Sequence, residues 1–190
     1  MLSVSGKPAW IAADLLAQAE HDPDARAILI TTSLRLAKAV AREVDRQMPA
    51  DGPARQAVAA HGGIVVARTP GEAIELLQRL APEHAVCDSE SVAAQLTRAG
   101  TVFVGNYSAQ ASGDYVTGSN HVLPTGGAAA ARGGLSTADF VRVSTVQTVT
   151  AGGLRRIAQA GITLATAEGL RAHAASLRIR TAPASPRTRS

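Results

Sequence analysis

The stretch GIVVARTPGEAIELLQRLAPEHAVC runs from Gly63 to Cys87. Its first five residues, Gly63 to Ala67, are a short apolar run of the length and composition of a buried strand. Thr69 and Pro70 then mark a helix start, because proline suits a first helical position where its missing N–H is not needed. The apolar residues up to Leu80 continue at helical spacing. Pro82 stops that helix, and Ala85 to Cys87 reads as a second strand. Strand, helix and strand in so few residues predict a βαβ unit and a parallel sheet.

The same rhythm extends to both sides. Upstream, Trp10 to His21 reads as a helix ended by Asp22-Pro23, Ala27 to Thr31 as a buried strand, and Leu34 to about Met48 as a helix capped by Ser33. Downstream, Ser89 to Ala99 reads as a helix and Thr101 to Gly105 as a fourth strand. The alternation then stops. A Gly-rich segment follows to Gly134, and irregular segments of that length inside a domain are usually functional. Thr137 to Val149 reads as helix then strand, Thr150 to Gly161 as a helix, Thr166 to Arg178 as a terminal helix, and Thr181 to Ser190 as a disordered tail. The expected fold class is α/β.

The chain has 190 residues, 46% hydrophobic but only 3% aromatic, so its core must be built from Ala, Val, Leu and Ile. The net charge of +4 comes largely from late arginines without interleaved aromatics, which argues against a nucleic-acid surface. The one cysteine, Cys87, excludes an internal disulfide and a cysteine zinc cluster. No stretch has membrane-spanning length, and Met1 to Gly6 lacks a secretory leader, so a soluble, cytoplasmic protein is expected. There is neither a GxGxxG after the first strand nor a Walker-type loop, and hence no nucleotide-binding motif.

The chemistry-bearing residues are scattered. Gln18 and His21, three apart, can face one point and share a metal, or simply form a solvated helix end. Glu83 and His84 can act as a proton-transfer pair, or be a polar connection after Pro82. Asp114 and His121 lie in QASGDYVTGSNHVLPT (110–125), where the glycines allow close approach to a ligand; Asp114 reads equally as a turn cap. Glu168 and His173 fall on the expected last helix, roughly 140° apart by the helical period.

Taken together, LLAQAEHDP (15–23), APEH (81–84), SGDYVTGSNHVLPTGG (112–127), LSTADFVRVSTVQ (135–147) and AEGLRAHAASLRIR (167–180) resemble the histidinol dehydrogenase family, in the right order from about Pro8 to Arg180. The resemblance implies a partial Rossmann-like parallel sheet flanked by helices over 1–135. It implies a C-terminal dimerisation segment over 136–180 that can swap between subunits and complete the partner's site, with a disordered tail over 181–190. It implies that Gln18, His21, Asp114 and His173 hold one zinc ion, that Glu83 and His84 are the acid–base pair, and that Glu168 binds substrate. Gln18, His21, His84, Asp114 and His173 would also surround the substrate. His121 would have a supporting role and His61 none. The implied reaction is the NAD-dependent oxidation of L-histidinol to L-histidine through the aldehyde.

Two departures stand out. The family's N-terminal part, with its NAD-binding portion and its GPSE segment, has no counterpart in MLSVSGKP, and Ala85 replaces the usual leucine after PEH. Three expectations follow: a C-terminal part active with a separately supplied N-terminal half, an inactive homologue that retains zinc and histidinol binding, or an enzyme whose start lies upstream. An exposed apolar sheet edge is expected in each isolated form.

Overall fold

A computed structural model describes residues 1–182. The strands are parallel and short: β1 is Ile28–Thr31, β2 Gly63–Val66, β3 His84–Cys87 and β4 Thr101–Val104. The helices are α1 (Pro8–Ala19), α2 (Leu34–Gln47), α3 (Ala54–His61), α4 (Pro70–Leu80), α5 (Glu90–Ala93), α6 (Ala111–Tyr115), α7 (Ala151–Ala167) and α8 (Arg171–Thr181). The quoted stretch folds as strand, helix and strand, but its two strands are not neighbours. β2 pairs with β1, and β3 with β4. Between β1 and β3 lies Leu2, bridged in parallel to Ile30 on one side and Cys87 on the other.

No pattern in Met1 to Gly6 announces this central position, because only about one residue is paired on each side. The Leu2 N–H donates to the Val86 carbonyl at 2.8 Å, the Ser3 N–H to Ile30 at 3.1 Å, and the Ile30 N–H to Met1 at 2.8 Å. The Met1 ammonium donates to the Ile28 carbonyl at 2.7 Å.

Successive side chains of β1 point to opposite faces. Leu29, fully buried, packs with Ile11, Leu15, Leu36, Val40 and Ala57 from α1, α2 and α3. Ile30 packs with Leu2, Leu77, Ala85, Cys87 and Leu96 on the other face, beside α4. Each face thus has its own aliphatic core. β2 has a partner on one side only, and Val65 and Val66 are exposed there.

Several elements depart from the sequence expectation. α1 stops at Ala19, so His21 lies beyond the helix; Pro23 disfavours helical backbone just before it. The expected helix from Ser89 to Ala99 shrinks to one turn. Its later backbone groups are taken by α4: Gln78 Nε2 donates to the Gln95 carbonyl at 2.9 Å, and the Arg98 N–H donates to Gln78 Oε1 at 3.0 Å. The polar stretch 110–125 contains the short helix α6. The strand expected after Thr137 is absent among the described residues; a 3₁₀ turn at Thr137–Phe140 leads into unpaired backbone up to Thr150.

The chain divides into two compact units, Met1–Val141 and Arg142–Ser190. In the second, α7 and α8 pack as a hairpin, with Gly161 so close to Leu177 that an added Cβ would lie 2.8 Å from Cδ1. Gly169, at φ +77°, makes the left-handed turn that ends α7. Glu168 is therefore the cap residue of α7 and not part of the last helix, which carries His173. Thr181 closes α8, and residues 183–190 of the expected tail lie outside the described residues. Among the described residues no helix is long and apolar enough to cross a membrane.

Candidate active site

The first unit gathers Gln18, His21, Glu83, His84, Asp114 and His121. Each comes from a different local device. Gln18 is on the last turn of α1, and His21 follows two residues after that helix ends. α4 ends with Ala81 in the left-handed region at φ 44°, turning the chain so that Pro82 and Glu83 lead into β3 at His84. Asp114 sits on α6, whose Gly113 packs on the Phe103 ring from β4.

A relay of hydrogen bonds orders the centre. Gln18 Nε2 donates to Glu83 Oε1 at 2.7 Å. A carboxylate only accepts, so the amide orientation is decided by chemistry and Gln18 Oε1 faces His84 Nδ1 at 3.0 Å. That oxygen also only accepts, so Nδ1 carries the proton and Nε2 keeps its lone pair. His84 Nε2 is 3.8 Å from Asp114 Oδ1, and the His84 ring lies 5.7 Å from that of Phe103. The fold therefore holds one imidazole as a base with a defined basic atom.

The Asp114 side chain is only 5% exposed and faces three imidazoles. His121 Nδ1 is 3.2 Å from Oδ1, and His21 Nε2 is 3.7 Å from Oδ2. His121 is thus nearer to Asp114 than its expected supporting role required. The His21–Asp114 separation, slightly beyond a hydrogen bond, suits two donors on one tetrahedral metal with bonds of about 2.0–2.2 Å. Gln18 Oε1 has a second lone pair beyond the one used by His84. Nitrogen and oxygen donors of this kind fit zinc. Among the described residues, however, no group of three or more His, Cys, Asp or Glu is placed to hold a metal ion. Glu168 and His173 belong to the second unit.

Beside this cluster is a cavity of about 470 Å³ that opens between the amino ends of β1 and β3. Its walls include Met1, Asp14, Ile28, Leu77, His84 and Gln110. Sequence reasoning passed over Asp14 and Gln110, and no motif marks either.

Burial lowers the His84 pKa, against the opposing pull of Glu83 and Asp114. Burial also lowers the Met1 ammonium to about 6, against the attraction of Asp14, and raises Asp14 to about 6. Met1 binds a proton more weakly in the fold than when unfolded, so the unfolded state holds more protons between pH 6 and 8.0 and stability rises with pH there. His84 acts in the same direction below 6.5. Asp14 acts oppositely between 3.8 and about 6. Urea unfolding at constant ionic strength is expected to show higher stability at pH 8 than at pH 6. Acetylating the Met1 amine should reduce that slope. Equal slopes in the two forms would show that Met1 does not carry the effect.

The sequence model for histidinol dehydrogenase matches residues 3–181. The chain belongs to the histidinol dehydrogenase family. The histidinol dehydrogenase of Synechococcus sp. is 46% identical over 183 residues, covering 93% of this chain and 42% of the relative. That of Agrobacterium fabrum is 45% identical over 184 residues, covering 94% and 43%. The crystal structure of histidinol dehydrogenase from Elizabethkingia anophelis matches with a TM-score of 0.81 and 35% identity, over 94% of this chain and 43% of that one. The chain thus spans less than half the length of the histidinol dehydrogenases it matches.

Proposed function

We propose that the chain is the metal- and proton-transfer part of a histidinol dehydrogenase, serving the NAD-dependent oxidation of L-histidinol to L-histidine through the aldehyde. The observation that carries this reading is the relay from Glu83 through Gln18 to His84, set against the Asp114 carboxylate. In this reading the parallel strands are part of a Rossmann-like domain.

His84 Nε2 removes the alcohol proton; NAD⁺, when bound, would supply the acceptor for the carbon-bound hydrogen as hydride. The orienting bond from Nδ1 to Gln18 aims that lone pair without further rearrangement. Glu83 accepts a proton from the water that adds to the aldehyde, and His84 assists the second hydride loss in the same way. Gln18, His21, Asp114 and His173 would hold zinc, which when bound anchors the amine and imidazole of the substrate. Glu168 contributes a substrate contact. Since His173 and Glu168 are carried by the helical hairpin, they complete the site of a second copy in a swapped homodimer. The exposed Ile157, Leu164 and Ile179 of that hairpin support a partner there. NAD⁺ is bound by the portion of the family length that this chain does not span.

The test is an assay of the purified chain with zinc, L-histidinol and NAD⁺. It is run alone and together with the N-terminal remainder of the Synechococcus relative. Zinc and histidinol binding, with NADH formed only in the mixture, is the expected result. Binding without NADH in either case favours the second reading, an inactive homologue that retains its ligands. A chain that binds neither zinc nor histidinol, as monomer or dimer, would overturn the site assignment.

A further inference from the structure

Gln110 is one of three buried polar residues among those described, and the one of the three on the cavity wall. It immediately precedes α6, which carries Asp114. Its Nε2 donates to the Asp14 carbonyl at 3.2 Å. In a helix that carbonyl also accepts the N–H four residues on, that of Gln18. Gln110 therefore ties the turn that carries Gln18 to the segment that carries Asp114.

The bond also settles the amide's orientation. Only the NH₂ side can face a carbonyl, so Oε1 points elsewhere. That oxygen has no protein hydrogen bond among the described residues. Yet no fully buried side-chain oxygen or nitrogen in non-exposed residues is left without a partner. Oε1 must then reach open space. With the residue only 5% exposed, that space is the cavity it lines.

We infer that Gln110 is a substrate-binding residue: its Nε2 is locked to α1, and its Oε1 is a fixed acceptor for an N–H donor, the amine of the bound amino alcohol. The inference rests on reading this cavity as the histidinol site. A preset acceptor loses little rotamer freedom on binding, and Asp14 on the same wall favours a cationic or hydrogen-bond-donating group.

The test compares Gln110→Met, which keeps length and removes both polar atoms, with Gln110→Glu, which keeps an acceptor oxygen. Calorimetry measures L-histidinol and, as a ligand without the amine, imidazole. Gln110→Met is expected to weaken histidinol roughly 10-fold, the scale of one hydrogen bond, with imidazole affinity and zinc per chain unchanged. Gln110→Glu should retain histidinol affinity within about threefold, by the same scale. Should Gln110→Met fail to fold, Gln110→Leu, which also removes both polar atoms, takes its place. If Gln110→Met leaves histidinol affinity unchanged, or Gln110→Glu loses it while folded, Gln110 is a tether only and the inference fails. If the unsubstituted chain binds no histidinol, the cavity reading falls first and takes this inference with it.

Discussion

Replacing Asp114 with alanine is expected to abolish tight zinc binding while leaving the fold in place. The carboxylate is the one acidic group facing His21, His84 and His121 together. Removing a group that merely supports a metal ligand costs roughly 10–100-fold in affinity, and a direct ligand should cost at least that. The same change withdraws a charge that raises the His84 pKa, so His84 should titrate still lower than it does now. Zinc titration by calorimetry and a histidine-resolved NMR titration read the two effects separately. Unchanged zinc affinity would remove Asp114 from the ligand set. A His84 pKa that rises would contradict the electrostatic picture.

Gly113→Ala should damage both fold and site. A Cβ there would lie 2.5 Å from Phe103 Cζ and 3.0 Å from Ser119 Oγ. The Phe103 ring is 93% buried and stands beside His84, so it has little room to yield. Overpacking of this kind costs about 1–3 kcal/mol, which for a chain of this size lowers Tm by roughly 2–12 °C. Because the next residue is Asp114, zinc binding should weaken as well. A companion Gly118→Ala, at φ +81° but with open space around it, should strain only the loop backbone. Equal Tm values for Gly113→Ala and the unsubstituted chain would show that α6 shifts freely, and the positioning of Asp114 by Phe103 would then be wrong.

Much of the first unit was legible from local pattern. Ser33 and Thr69 cap α2 and α4 as their residue types suggest, with hydrogen bonds from the Leu36 and Glu72 N–H groups. The apolar runs at Ile28, Gly63, Ala85 and Thr101 all became strands. The boundaries failed where a distant residue competed for the backbone. Ser89 onward has a helical pattern, but Gln78 takes the groups that would have continued the helix. The reading of Glu168 and His173 as one helix failed for a local reason instead, since Gly169 can turn left-handed at little cost.

The candidate site residues, and the family to which the chain belongs, were legible in the sequence alone. So was the α/β alternation, since strands and helices follow from short-range periodicity and capping. Which strands lie side by side was not. Pairing is a contact between segments far apart in the chain, and Leu2 takes the centre with almost no propensity signal. The working state of the site was equally hidden. The proton on His84 Nδ1, the direction of the Gln18 amide and the open oxygen of Gln110 depend on neighbours 65 or more residues away. Only the tertiary structure brings those groups within hydrogen-bond distance, and only then does each acceptor decide where its donor must be.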